Sequence, residues 1–208
     1  GEEFTLPLNV NVKDFAMPDT PSLPILLGIG TTNGKVDHDF WLDYRMNPHY
    51  SDTGNIYDKR QRKGAMDIEK LKELCDKGMS AFNLIYVNEM EFKYYGNSAD
   101  RYLESIYKRY TDEYMEKLVE AGIADKAIIY TYDEVTVSGD THEKEYNTVN
   151  KVLGALKERY GKYGVRIAAT LRDCNDQAIH NLPADIWIPL ATGIQKEAAD
   201  NLVSLGKE

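Results

Sequence analysis

Cysteine is scarce, with two in 208 residues. Cys75 falls in an expected helix and Cys174 in an expected loop, with no C-x-x-C spacing, so neither a zinc site nor a disulfide framework is implied and both read as free thiols. Long hydrophobic runs are also missing. No stretch approaches the roughly 20 apolar residues of a membrane span, and residues Gly1 to Leu8 lack the basic and apolar regions of a signal peptide. Basic runs are missing too. The net charge of -9, from 34 acidic and 25 basic residues interspersed along the chain, disfavours electrostatic capture of nucleic acid or anionic lipid and leaves neutral ligands open. The absence of an N-x-[ST] sequon weakly disfavours a eukaryotic secreted glycoprotein but is compatible with bacterial export.

Several common catalytic signatures fail on spacing. "LGIGTTNGKV" at 27–36 invites a phosphate-loop reading, but G-x-x-x-x-G-K needs glycine where Ile29 stands and Ser or Thr where Val36 stands, while G-x-G-x-x-G needs glycine at Asn33. Gly34 is then a turn residue. The four histidines, His38, His49, His142 and His180, form no H-E-x-x-H pair. Only "DHD" at 37–39 resembles a ligand cluster, and loop polarity explains it better, so no metal and no cofactor are expected. No G-x-S-x-G elbow supplies a nucleophilic serine.

What the chain does contain is enough apolar residue, 42%, for a substantial core, together with 15 tyrosines and 2 tryptophans. Aromatic side chains with polar tips suit sugars and interfaces, although most of these tyrosines fit half-buried helix faces. Residues 5–12, "TLPLNVNV", alternate as an edge strand with Leu6, Leu8, Val10 and Val12 on one face, and the proline-rich 17–24 reads as a linker with a domain boundary near Pro21. Beyond it, strand-like runs at 24–30, 40–46, 82–87, 126–134, 165–173 and 185–190 alternate with helical patterns at 67–77, 100–121, 143–160 and 194–205. Asp67 is the expected cap of the first of these helices, and Gly78 and Gly122 are expected stops.

Near-continuous apolar strands separated by helices imply a parallel sheet, hence an α/β fold. Six βα units look like a (β/α)8 barrel lacking its last two, with a doubly wound sheet as the rival. Arg45, Asn88, Asp133 with Glu134, Arg172 with Asp173, and Trp187 all fall where strands are expected to end, which is where barrel active sites are built. In "IIYTYDEVTVSG", 128–139, the adjacent Asp133 and Glu134 are either an active-site pair or an ordinary polar strand terminus. Neighbours on a regular strand point to opposite faces, so this pair does not straddle a glycosidic bond as opposed carboxylates do. At a turning strand end both tips reach one pocket, the arrangement that substrate-assisted glycosidases need. There one acid donates a proton, its pKa raised by burial, while its neighbour holds the substrate's 2-acetamido group.

The ordered set "VKDFAMPDTPSLPILLGIG", "WLDYRMNPH", "KGMSAFNLIYV", "YTYDEV" and "ADIWIPL" resembles the catalytic barrel of glycoside hydrolase family 123 and the related DUF4091 domains, from about residue 10 to the end. The resemblance implies a β-N-acetylgalactosaminidase with no cofactor, a substrate-assisted mechanism, a glycan as partner and an extracytoplasmic location. It places the catalytic pair at Asp133 and Glu134. Tyr132 and Trp187 are candidate sugar-stacking residues, and Arg45, Asn88 and Arg172 candidate hydroxyl contacts. Residues 1–21 are then expected to be the last strand and linker of a β-sandwich domain, with 22–208 a partial barrel. Since family members continue past the sixth unit, the chain is expected to be a fragment, its open sheet edges covered by a further segment or a dimer partner. Two other functions fit the same residues: a non-catalytic carbohydrate-binding or assembly module, and a glycosidase pairing Glu134 with a separate Asp173.

Overall fold

Four of the apolar runs form strands: β1 (Phe82–Val87), β2 (Ala127–Val135), β3 (Arg166–Leu171) and β4 (Ile186–Pro189). The computed structural model describes residues 7–15, 38–47, 65–87, 94–135, 140–171, 181–189 and 195–206, and for 132–135, 140–145, 171 and 189 it describes the backbone alone. The strands pair in parallel and in sequential order, β1-β2-β3-β4. Parallel neighbours need crossover connections, and helices supply those from β1 to β2 and from β2 to β3. Helices α1 (His38–Asp43) and α2 (Ile68–Asp76) precede β1; α3 (Ala99–Arg109) and α4 (Asp112–Glu120) join β1 to β2; α5 (Asp140–Tyr160) joins β2 to β3; α6 (Lys196–Ser204) follows β4. The chain is α/β. Among the described residues no helix is long and apolar enough to cross a membrane.

Alternation along the strands gives the sheet two unlike faces. Ala127, Ile129, Ile167, Ala169 and Trp187 join the main core, to which each described α-helix contributes buried side chains, such as Leu42, Leu71, Ile106, Leu118, Leu153 and Leu202. Ala81, Ile128 and Ala168, with Tyr130 and Ile186 against them, form a separate small cluster that contains no helical residue among those described. The described helices therefore pack on one face. Each fully buried leucine, such as Leu71 or Leu74, contributes about 1.5–3 kcal/mol through burial.

Local signals fix the ends of these helices. The Asp67 carboxylate accepts the Glu69 and Lys70 N–H groups at 3.0 and 3.3 Å, starting α2. At its end Gly78 takes φ 108°, and the Gly78 and Met79 amides return to the Cys75 and Leu74 carbonyls, with Leu74 and Met79 both fully buried. Gly122 closes α4 in the same way, its own amide reaching Val119 and the Ile123 amide reaching Leu118. Buried Asn47 anchors the start of β1: its amide donates to the Ala81 carbonyl at 2.9 Å and its Oδ1 accepts the Ser80 N–H at 2.7 Å.

Three sequence expectations need correction. Residues 40–46 are not a strand, since most of them lie in α1 and the turn after it. Aromatic residues favour strands in general, but here Phe40 and Tyr44, four apart, meet at 5.0 Å on a helical turn. The expected single helix over 100–121 breaks at Tyr110 and restarts at Thr111, whose hydroxyl accepts the Tyr114 N–H at 3.3 Å. The tyrosine spacing runs smoothly through this break, and the capping threonine followed by Asp112 and Glu113 is what marks it. Residues 7–15 form neither helix nor strand, and Leu8, Val10 and Val12 are exposed. Alternation makes a strand only where a sheet edge accepts it. The expected strand at 24–30 and the boundary near Pro21 lie outside the described residues.

Candidate active site

The carboxyl end of β2 departs from regular pairing where the sequence places its two acids. Ile129 stands opposite Ile167, Tyr130 opposite Ala168 and Thr131 opposite Ala169, but the next pair is Val135 with Leu171. Tyr132, Asp133 and Glu134 thus fill a stretch that β3 spans with Thr170 alone. The register shift interrupts the regular pairing of β2 with β3 over this stretch. Bulges of this kind are over-represented beside active sites, where they re-aim side chains.

A second irregularity lies in β1, where pairing shifts between Asn83 and Ile85. The extra residue brings Tyr86 opposite Tyr130, so their rings meet at 5.6 Å between centroids, tilted by 33°. Both tyrosines are half-buried, and Tyr130 belongs to the small cluster on the face away from the helices. Tyr130 precedes the bulge by two residues, which puts an aromatic pair next to the acids along the sheet. The sequence reading missed Tyr86 and Tyr130. Their only signal was a tyrosine near the end of each of two strand-like runs. Thr131, between Tyr130 and this stretch, is fully buried, and its hydroxyl has no hydrogen-bond partner among the described residues.

Of the other expected site residues, Arg45 and Trp187 are described, and neither is beside this stretch of β2. Arg45 is exposed and sits in the turn after α1, with φ 57°, so it is at a helix end and not a strand end. Trp187 is 7% exposed and lies in the main core on the helix-covered face, with its indole N–H buried and without a partner among the described residues. That placement gives it a packing role and not a pocket wall. Tyr132, Asp133 and Glu134 occupy the bulge by their backbone, while Asn88, Arg172 and Asp173 lie outside the described residues. So do the glycine-bearing stretch 28–34, His49, Cys174 and His180.

Polar clusters elsewhere serve packing. Among the described residues no group of three His, Cys, Asp or Glu is placed to hold a metal ion. Asp39 of the "DHD" stretch pairs with Lys77 at 2.7 Å, and Lys77 also holds Glu73, whose carboxyl the Lys70 and Lys77 ammonium groups lower to about 2. A hollow of about 320 Å³ opens on the helix side beside Tyr107, Asp112, Arg159 and Lys162. There the Arg159 guanidinium lies 4.5 Å from the Tyr107 ring centroid and 3.2 Å from Asp112. Asp112 also accepts the Tyr163 hydroxyl at 2.9 Å, which lowers its pKa. These contacts tie α3 and α4 to α5.

No model of a known protein family matches the chain, and no curated protein matches it either.

Proposed function

We propose that this chain is a glycoside hydrolase, or a part of one, that removes terminal β-linked N-acetylgalactosamine by substrate assistance, with Asp133 and Glu134 as its catalytic pair. The observation that supports this reading is the register shift at the carboxyl end of β2, over the stretch that contains the two adjacent acids. The sheet is read here as part of a (β/α) barrel. Sequential parallel order with helices on one face supports that reading, whereas a doubly wound sheet reverses strand order and carries helices on both faces.

In the proposed reaction the acetamido oxygen of the substrate attacks C1 while the bond from C1 to the leaving oxygen breaks. Glu134, protonated, gives its proton to the departing oxygen. Asp133 accepts a hydrogen bond from the acetamido N–H and offsets the positive charge that develops on the oxazolinium ring. Glu134, now a carboxylate, removes a proton from water as the water attacks C1 and reopens the ring, so the anomeric configuration is retained.

The test is turnover of a chromogenic β-N-acetylgalactosaminide beside its N-acetylglucosamine epimer, with a thiazoline mimic of the cyclised intermediate as inhibitor. The expected result is faster turnover of the galactosaminide and competitive inhibition by the thiazoline. Binding of the sugar without any hydrolysis would instead identify a carbohydrate-binding module.

A further inference from the structure

Two polar side-chain atoms buried on the helix side of the sheet stand in one row. The register sets Val87 opposite Thr131, Thr131 opposite Ala169 and Ala169 opposite Trp187, so the row crosses all four strands. Partners in a parallel ladder send their side chains to the same face. Val87, Ala169 and Trp187 belong to the main core, which puts the Thr131 side chain on the helix-covered face with them. Thr131 and Ala169 are fully buried and Trp187 nearly so. Among the described residues neither the Thr131 hydroxyl nor the Trp187 indole N–H has a hydrogen-bond partner. The preceding row on this face, Ile85, Ile129 and Ile167, is buried and wholly apolar, so neither atom is satisfied from that side.

The two groups are complementary, and a small side chain separates them. An indole N–H only donates, whereas a hydroxyl both donates and accepts. β2 and β4 lie two strand spacings apart, roughly 10 Å between backbones. The residue between them in the row is Ala169, whose methyl group fills little of that width. A buried donor left without an acceptor is destabilising, and native interiors satisfy such groups with ordered water where the space is polar and large enough to hold one. We propose that an internal water sits over Ala169, accepts the Trp187 indole N–H and shares a hydrogen bond with the Thr131 hydroxyl. It ties β4 to β2 across β3, in the last row before the register of β2 against β3 shifts. The site asks nothing of Asp133 or Glu134 and stands independently of the hydrolase reading.

The test is water-selected NOE spectroscopy on isotope-labelled protein, read at the indole N–H. The chain has two tryptophans, Trp41 and Trp187, and the indole signal that survives Trp41→Phe belongs to Trp187. In the wild-type protein this N–H is expected to show a water cross-peak of the sign that a long-lived bound molecule gives. Thr131→Ser keeps the hydroxyl and should keep the cross-peak. Thr131→Val, which puts a methyl group where the hydroxyl was, should shift the N–H resonance and weaken the cross-peak, and Ala169→Val, which fills the space, should abolish it. The wild-type spectrum is decisive without any valine variant, so a valine variant that fails to fold leaves the site open to refutation. Absence of a water cross-peak at Trp187 in the wild-type protein overturns the site, and so does a cross-peak that neither Thr131→Val nor Ala169→Val changes.

Discussion

Val135 stands opposite Leu171 although Thr131, four residues earlier, stands opposite Ala169, so β2 spends twice as many residues as β3 over the same interval. Asp133 and Glu134 lie within that surplus, and the proposed reaction gives each of them a different part. If the substrate's acetamido group is the nucleophile, weakening it should slow the enzyme. Stepwise fluorination of the acetamido methyl is expected to lower kcat progressively, on the order of a hundredfold by the trifluoro compound. Rates that ignore fluorination would point to a carboxylate nucleophile, as in a pairing of Glu134 with Asp173.

Tyr160 bridges the break between α3 and α4. Its hydroxyl donates to the Tyr110 carbonyl at 2.8 Å, the side chain is fully buried, and burial pushes the phenol well above its ordinary pKa. Tyr160→Phe removes this donor from a buried carbonyl and is expected to cost about 1–3 kcal/mol in urea denaturation. Tyr163→Phe removes a bond of similar length to Asp112, whose side chain is 47% exposed, and should cost less than about 1 kcal/mol. Equal losses would mean that the helix break is not held by Tyr160.

Cys75 is buried on the inner side of α2, and desolvation raises its thiol from an ordinary 9.0 to about 11. Because the folded pKa lies above the unfolded one, the neutral thiol's contribution is complete below pH 9 and fades as pH rises towards 11. The stability gap between wild type and Cys75→Ala should therefore narrow over that window. Native protein at pH 8 should also resist iodoacetamide at Cys75 until urea is added, read by peptide mass spectrometry. Rapid native alkylation would contradict the burial.

Much of the sheet was legible because parallel strands buried on both faces leave near-continuous apolar runs. "FNLIYV" became β1 as read, and 126–134 differs from β2 by one residue at each end. Gly78 and Gly122 marked real helix stops because a left-handed position follows each helix and glycine takes it without strain. Periodicity failed where it has no unique meaning. The seven residues from Phe40 to Met46 were too few to separate helix from strand, and Leu8, Val10 and Val12 alternate without a partner among the described residues. The candidate site was legible only as an acid pair near a strand end. The bulge is a property of β2 measured against β3, the Tyr86–Tyr130 pairing depends on an extra residue in β1, and neither is encoded in a single segment. Trp187 shows the converse: its position near a strand end suggested a pocket, yet the pleat turns it into the helix-side core.

The most direct measurement compares Glu134→Gln with wild type on two β-N-acetylgalactosaminides, one with an alkyl leaving group that needs a proton and one with a dinitrophenyl group that does not. The account predicts a fall of about 10²–10⁴-fold in kcat for the alkyl glycoside and near-normal turnover of the activated one. Equal loss on both substrates, or none on either, would contradict the role of Glu134 as the acid that protonates the departing oxygen.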